Sequence, residues 1–86
     1  MSEEKPGYHL KTIEKGILGE SSKILEDVFE LQDAEEQQVK IMQLVELSDL
    51  VGAIDMYLNK HFPDISFDDL VKMSKVTQRA FKNGRR

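Results

Sequence analysis

Asp27 with Glu30, and Glu46 with Asp49, are two acidic pairs spaced i, i+3. On a helix that spacing sets both carboxylates of a pair on one face. The second pair interrupts the run Leu44-Val45-Glu46-Leu47-Ser48-Asp49-Leu50-Val51-Gly52-Ala53-Ile54, which is otherwise almost wholly apolar and contains no cationic residue. Burying an ionised carboxylate is costly unless it is paired, protonated or bound to metal. Four carboxylates on two helices therefore suit a hard divalent cation, Mg²⁺ or Mn²⁺, with substrate phosphates and water completing its oxygen shell. Such an ion polarises a phosphoryl group and activates water. The first expectation is an enzyme acting on a phosphate-rich substrate.

Other charged residues stand where they could assist. Projected at about 100° per residue, Glu20, Lys23, Asp27 and Glu30 fall within one quadrant of a helix, and Glu26 lies to the side. Lys23, one turn before Asp27, is placed to pair with the carboxylates or to meet a phosphate. Lys72, Lys75 and Arg79 share a face and form a candidate polyphosphate clamp. Each has a plainer reading. Asp27 and Glu30 alone would be ordinary surface decoration, and the three basic residues a solvated face. Glu46 and Asp49 resist that reading because of their apolar frame. Met42, Met56 and Met73 read as core filler. His9 and His61 have no partner at ligand spacing and are assigned no role.

The elements that must hold these groups are helical. Residues 1–8 read as a loose lead-in around Pro6-Gly7. Residues 9–19 are ambiguous, because Gly16 and Gly19 weaken a helical pattern. From about Glu20 the stripe Ile24, Leu25, Val28, Phe29 and Leu31 predicts a helix to about Gln32, with Asp33 and Ala34 in a connection or a continuation. A second helix is expected over about Glu35 to Lys60, apolar on nearly every side and ended by His61-Phe62-Pro63. A helix of that kind is buried on most sides, which in so short a chain implies burial against another subunit. Ser66 and Asp69 form a near capping box for a third helix. It runs to about Phe81 and stops at Asn83-Gly84, and residues 82–86 form a basic tail. The expected fold is all-α, a short bundle of three main helices completed by oligomerisation.

Bulk properties agree with one small domain of 86 residues. There is no cysteine, so neither disulfides nor thiolate metal sites supplement the core. No stretch reaches the about 18 apolar residues of a membrane span, and the polar first residues lack a signal-peptide centre. A soluble, cytoplasmic protein without membrane contact is expected. The net charge of −4 is uneven: from Lys72 onward there are six basic residues and no acidic one, whereas residues 1–71 hold six basic against all 16 acidic, a balance of −10. An acidic body with a basic end suits a cation site beside an anion-gripping element.

Glu26-Asp27-Val28-Phe29-Glu30 followed by Glu46-Leu47-Ser48-Asp49 resembles the E-E-x-x-E … E-x-x-D signature of MazG-like nucleotide pyrophosphohydrolases, the all-α nucleoside triphosphate pyrophosphatase superfamily. The 15 residues between Glu30 and Glu46 are similar to the family interval. Lys23-Ile24-Leu25 resembles the lead-in of the phosphoribosyl-ATP branch, and Lys72, Lys75 and Arg79 the basic end of many members. The likeness covers about residues 16–81. It implies cleavage of a nucleoside triphosphate, a deoxynucleotide above all, to monophosphate and pyrophosphate. Asp27, Glu30, Glu46 and Asp49 would hold Mg²⁺, with Mn²⁺ as a substitute. Glu26 or Glu30 would take the proton of the attacking water, and Lys23, Lys72, Lys75 and Arg79 would bind substrate, the last three from this chain or a neighbouring subunit. The family further implies a homodimer or a homotetramer built from dimers. One departure is Asp27, where the family usually has Glu. The shorter side chain would act through water, leaving Glu26 or Glu20 a larger share.

Three rivals come from other classes. A non-enzymatic helical module for dimerisation and protein interaction explains the amphipathic helices but not Glu46 and Asp49. A di-iron bundle wants Glu-x-x-His, and neither histidine stands three residues after a glutamate. Nucleic-acid binding would rest on the basic end alone, without interleaved aromatics.

Overall fold

The computed structural model describes residues 9–82. It contains three helices, α1 (Ser21–Gln37), α2 (Lys40–His61) and α3 (Phe67–Lys82), and no strand among the described residues. The class is all-α, as expected. The lead-in 1–8 and the Asn83-Gly84 stop lie outside the described residues. No helix there is long and apolar enough to cross a membrane.

Helix boundaries depart from expectation at one junction. α1 continues through Asp33 and Ala34 to Gln37, so Glu35 belongs to α1 and α2 begins only at Lys40. The residues from Glu35 to Gln38 carry no glycine or proline to mark a break. The break is made by Gln38, which adopts a left-handed conformation (φ 61°, ψ 34°), while Val39 is extended. The Gln38 N–H donates to the Glu35 carbonyl at 3.0 Å and that of Val39 to Ala34 at 3.5 Å, a Schellman-like closure of α1. At the other end of the chain the capping box forms. The Ser66 N–H donates to Asp69 Oδ2 and the Asp69 N–H to Ser66 Oγ, both at 3.1 Å, satisfying donors at the start of α3.

The two-residue connection folds α2 back antiparallel to α1, and Lys60 near the end of α2 pairs with Glu20 at the start of α1. Residues 9–17 run back along the outside of α1, from Asp33 and Glu36 towards Ser22. Lys11 Nζ meets Glu36 at 2.8 Å, and the Ile17 N–H donates to Ser22 Oγ at 3.0 Å. A turn closed by the Glu20 N–H on the Ile17 carbonyl (2.9 Å) leads into α1. Gly19 stands at its third position with φ 87°, a conformation glycine adopts without steric cost.

The three helices do not close into a bundle within one chain. α1 and α2 pack closely, whereas α3 buries no residue. The radius of gyration is 15.3 Å, against about 12 Å for a compact chain of this length. Among the described residues only Ala34, Ala53 and Leu58 are buried apolar side chains. Leu25, Phe29, Leu44, Leu47, Val51, Met73 and Val76 are exposed. Much of the apolar surface of α2 is thus left uncovered by the described residues.

Candidate metal centre between the first two helices

The three largest wholly buried side chains are Glu46, Asp27 and Asp33. All are carboxylates, and they point into the seam between α1, α2 and the segment before α1. The antiparallel register explains the gathering. With Glu20 beside Lys60, Glu30 comes opposite Glu46, and Asp27 faces Asp49 across an open cleft of about 550 Å³. Lys23, Asp27, Asp49, Gly52 and Ala53 line that cleft.

Two clusters result, and Glu30 belongs to both. Glu26, Asp27 and Glu30 bring carboxylate oxygens within 4.8 Å of one another on successive turns of α1. Glu30, Glu46 and His9 do the same across the seam. Neither oxygen of Asp27 nor of Glu46 has a hydrogen-bond partner among the described residues. Unpartnered buried carboxylates are expensive.

Burial pushes the Asp27 carboxyl up, opposed by the Lys23 ammonium 3.7 Å away and reinforced by Glu26 and Asp49. Glu30 is raised to about 8, first by burial and then by the adjoining Glu46 carboxylate. Burial pushes Glu26 upward as well, but the Gly16 N–H at 2.8 Å and Lys23 at 3.3 Å outweigh it and hold Glu26 below the usual range. Asp33 is likewise held low despite burial. Its Oδ2 accepts from the Leu10 N–H and His9 Nδ1, both at 2.9 Å, and from Gln37 at 3.2 Å.

Of the expected metal ligands, Asp27, Glu30 and Glu46 come together in the seam. Asp49 does not join either cluster; it is exposed and forms the cleft wall opposite Asp27. Glu26, expected off to the side, is 3% exposed. The helical projection could not foresee the irregular segment before α1, which folds over that flank and caps Glu26 through Gly16. Glu20, offered as a substitute for Asp27, is turned away to Lys60 and His61. Lys23 pairs with Glu26 and Asp27 while a quarter of its side chain stays exposed at the cleft edge. Lys72, Lys75 and Arg79 are exposed on α3 and do not line the cleft within one chain. Lys72 pairs with Asp68 at 3.4 Å.

Sequence reasoning missed His9 and Asp33. Asp33 lies three residues after Glu30 and prolongs the acidic stripe of α1, a signal hidden by ending the helix near Gln32. His9 reaches the seam from 24 residues before its partner Asp33, and no local periodicity marks it. No protein-family model matches the chain, and no curated protein or solved structure matches it either.

Proposed function

We propose that the protein is a Mg²⁺-dependent nucleoside triphosphate pyrophosphohydrolase of the MazG-like kind its acidic motifs resemble. It would convert a nucleoside triphosphate, preferentially a deoxynucleotide, and water to nucleoside monophosphate and pyrophosphate. One observation carries this reading: among the described residues the three largest wholly buried side chains are carboxylates, and four oxygens of Asp27 and Glu46 lack hydrogen-bond partners there. Such a donor set fits a hard oxygen-seeking cation. Glu26, Asp27, Glu30 and Glu46 would hold it, with Asp49 reaching from the cleft wall. When bound, the ion would offset the clustered negative charge, polarise the phosphoryl group and favour deprotonation of water.

The chain's own residues supply the rest. With the cation bound, the carboxylates of the cluster would be held ionised, and Glu30, which adjoins both Glu26 and Glu46, would accept the proton of the attacking water. Glu26, with its pKa held low, stays ionised and is reserved for binding. Lys23, at the cleft edge, offers a positive charge to a phosphate. A Cβ at Gly52 would meet nothing within 4 Å beyond its own stretch of helix, so the cleft wall opposite Asp27 is open there. Lys72, Lys75 and Arg79 would reach the β- and γ-phosphates from a neighbouring subunit of a homodimer or homotetramer.

The test is pyrophosphate release from a panel of ribo- and deoxynucleoside triphosphates with Mg²⁺, Mn²⁺ or EDTA. Metal-dependent formation of monophosphate and pyrophosphate is expected. The Glu46→Gln variant should be inactive yet retain its helical circular dichroism, because it removes a ligand while nearly conserving shape. A fully active Glu46→Gln protein would refute the metal assignment. The second reading, a helical module that binds a partner, is favoured by the exposed apolar residues on all three helices. It leaves the buried carboxylates without a purpose.

A further inference from the structure

We propose that His9, Glu30 and Glu46 form a mixed nitrogen–oxygen site for a first-row transition-metal dication of the Mn²⁺, Fe²⁺ or Zn²⁺ type. The site shares Glu30 and Glu46 with the carboxylates proposed above to hold Mg²⁺, and its occupation rests on that acid cluster binding cations.

The separations fit. His9 Nε2 stands 3.4 Å from Glu46 Oε2 and 4.0 Å from Glu30 Oε2. Two ligand atoms each about 2.1 Å from an ion stand about 3.0–4.2 Å apart, depending on the angle between them. A charge-assisted hydrogen bond from an imidazolium would instead be about 2.7–2.9 Å long. The 3.4 Å contact is therefore too long to count as the partner that Glu46 needs. Glu46 is 0% exposed, and neither of its oxygens is hydrogen-bonded among the described residues. This wholly buried, unsatisfied carboxylate, aimed at His9 and Glu30, is the observation that points to a ligand.

The surroundings of His9 match those of a metal-binding histidine. Its Nδ1 lies 2.9 Å from Asp33 Oδ2, and Asp33 is fixed in turn by the Leu10 N–H and Gln37. A carboxylate accepting the Nδ1 proton orients the ring and directs the Nε2 lone pair at the cation, the usual outer-shell device of metal-bound imidazole. Asp33 is thus a positioning residue. Imidazole favours Zn²⁺, Fe²⁺ and similar ions, whereas Mg²⁺ is satisfied by oxygen alone. His9 would therefore shift selectivity towards the transition metals.

The experiment uses the full chain with Mn²⁺, reading affinity by titration and nitrogen ligation by pulsed electron paramagnetic resonance. Bound Mn²⁺ should show a histidine ¹⁴N coupling that survives His61→Ala and disappears in His9→Ala. The latter should bind Mn²⁺ and Zn²⁺ more weakly by at least about tenfold while retaining Mg²⁺. Asp33→Asn should keep the coupling and lose about 10–100-fold in affinity. Mn²⁺ bound without nitrogen coupling would overturn the role of His9 and leave the carboxylate site standing. No Mn²⁺ binding to the wild-type chain would overturn both. The wild-type spectrum decides even if a variant does not fold.

Discussion

Glu30 is the side chain on which both clusters depend, and its protonation couples the site to stability. Folded, its carboxyl is raised to about 8 by burial and Glu46, from an ordinary 4.5. Between these values the native protein keeps a proton that the unfolded chain has lost, so stability falls as pH rises. The contribution is complete below the unfolded value and lost through the folded one, at up to about 1.4 kcal/mol per pH unit. Asp27, also raised, acts in the same direction. Glu26 and Asp33, both held low, act oppositely, stabilising at neutral pH and losing that effect in acid. EDTA-treated protein should therefore melt highest at about pH 5 and at lower temperature towards pH 8. Mg²⁺ or Mn²⁺ should remove much of that decline, because a bound cation favours the ionised carboxylates. Melting curves over this range, with and without metal, check it; equal stability at both ends in EDTA would show that Glu30 is not so perturbed.

At the scale of elements, two glycines have opposite duties. A Cβ on Gly16 would lie 2.2 Å from the backbone oxygen of Ser22, so the segment before α1 can lie against the helix only with glycine there. The same residue caps Glu26 through its N–H. Gly16→Ala should destabilise by about 1–3 kcal/mol in urea unfolding. Gly52 sits within α2 facing the open cleft, where the missing side chain leaves room but glycine weakens the helix. Gly52→Ala should stabilise by up to about 1 kcal/mol. Equal unfolding midpoints for the two variants would contradict this division.

For the whole molecule the inner seam is acidic and much of the outside is apolar. Leu44, Leu47 and Val51 form one exposed stripe on α2 at i, i+3, i+7, and Leu25 and Phe29 form another on α1. Among the described residues only Ala34, Ala53 and Leu58 are buried apolar side chains, a small core against the conformational entropy of folding. The proposed dimer or tetramer would cover these stripes and could carry α3, with its basic face, to a neighbour's cleft. Light scattering after size exclusion should give a mass above that of one chain at micromolar concentration. Leu47→Glu should lower the mass or abolish folding. A monodisperse, stable wild-type monomer would sink the oligomeric reading and with it the supply of Lys72, Lys75 and Arg79 from a partner.

By itself the sequence determined the helical class, the capping box of α3, and the placing of Asp27, Glu30 and Glu46 on faces that could meet. These follow from local periodicity, in which the side chains of a helix turn are related by a fixed rotation. It also carried the motif on which the proposed activity rests. Tertiary structure alone decided that Glu26 turns inward, that Asp49 stays at the cleft wall, and that His9 and Asp33 complete the seam. Each depends on contacts across many residues: the fold-back of residues 9–17 on α1, and the register of α2 on α1 set at Gln38. Nothing in the local sequence of His9 encodes the carboxylates it meets, because the chain that separates them has first to close.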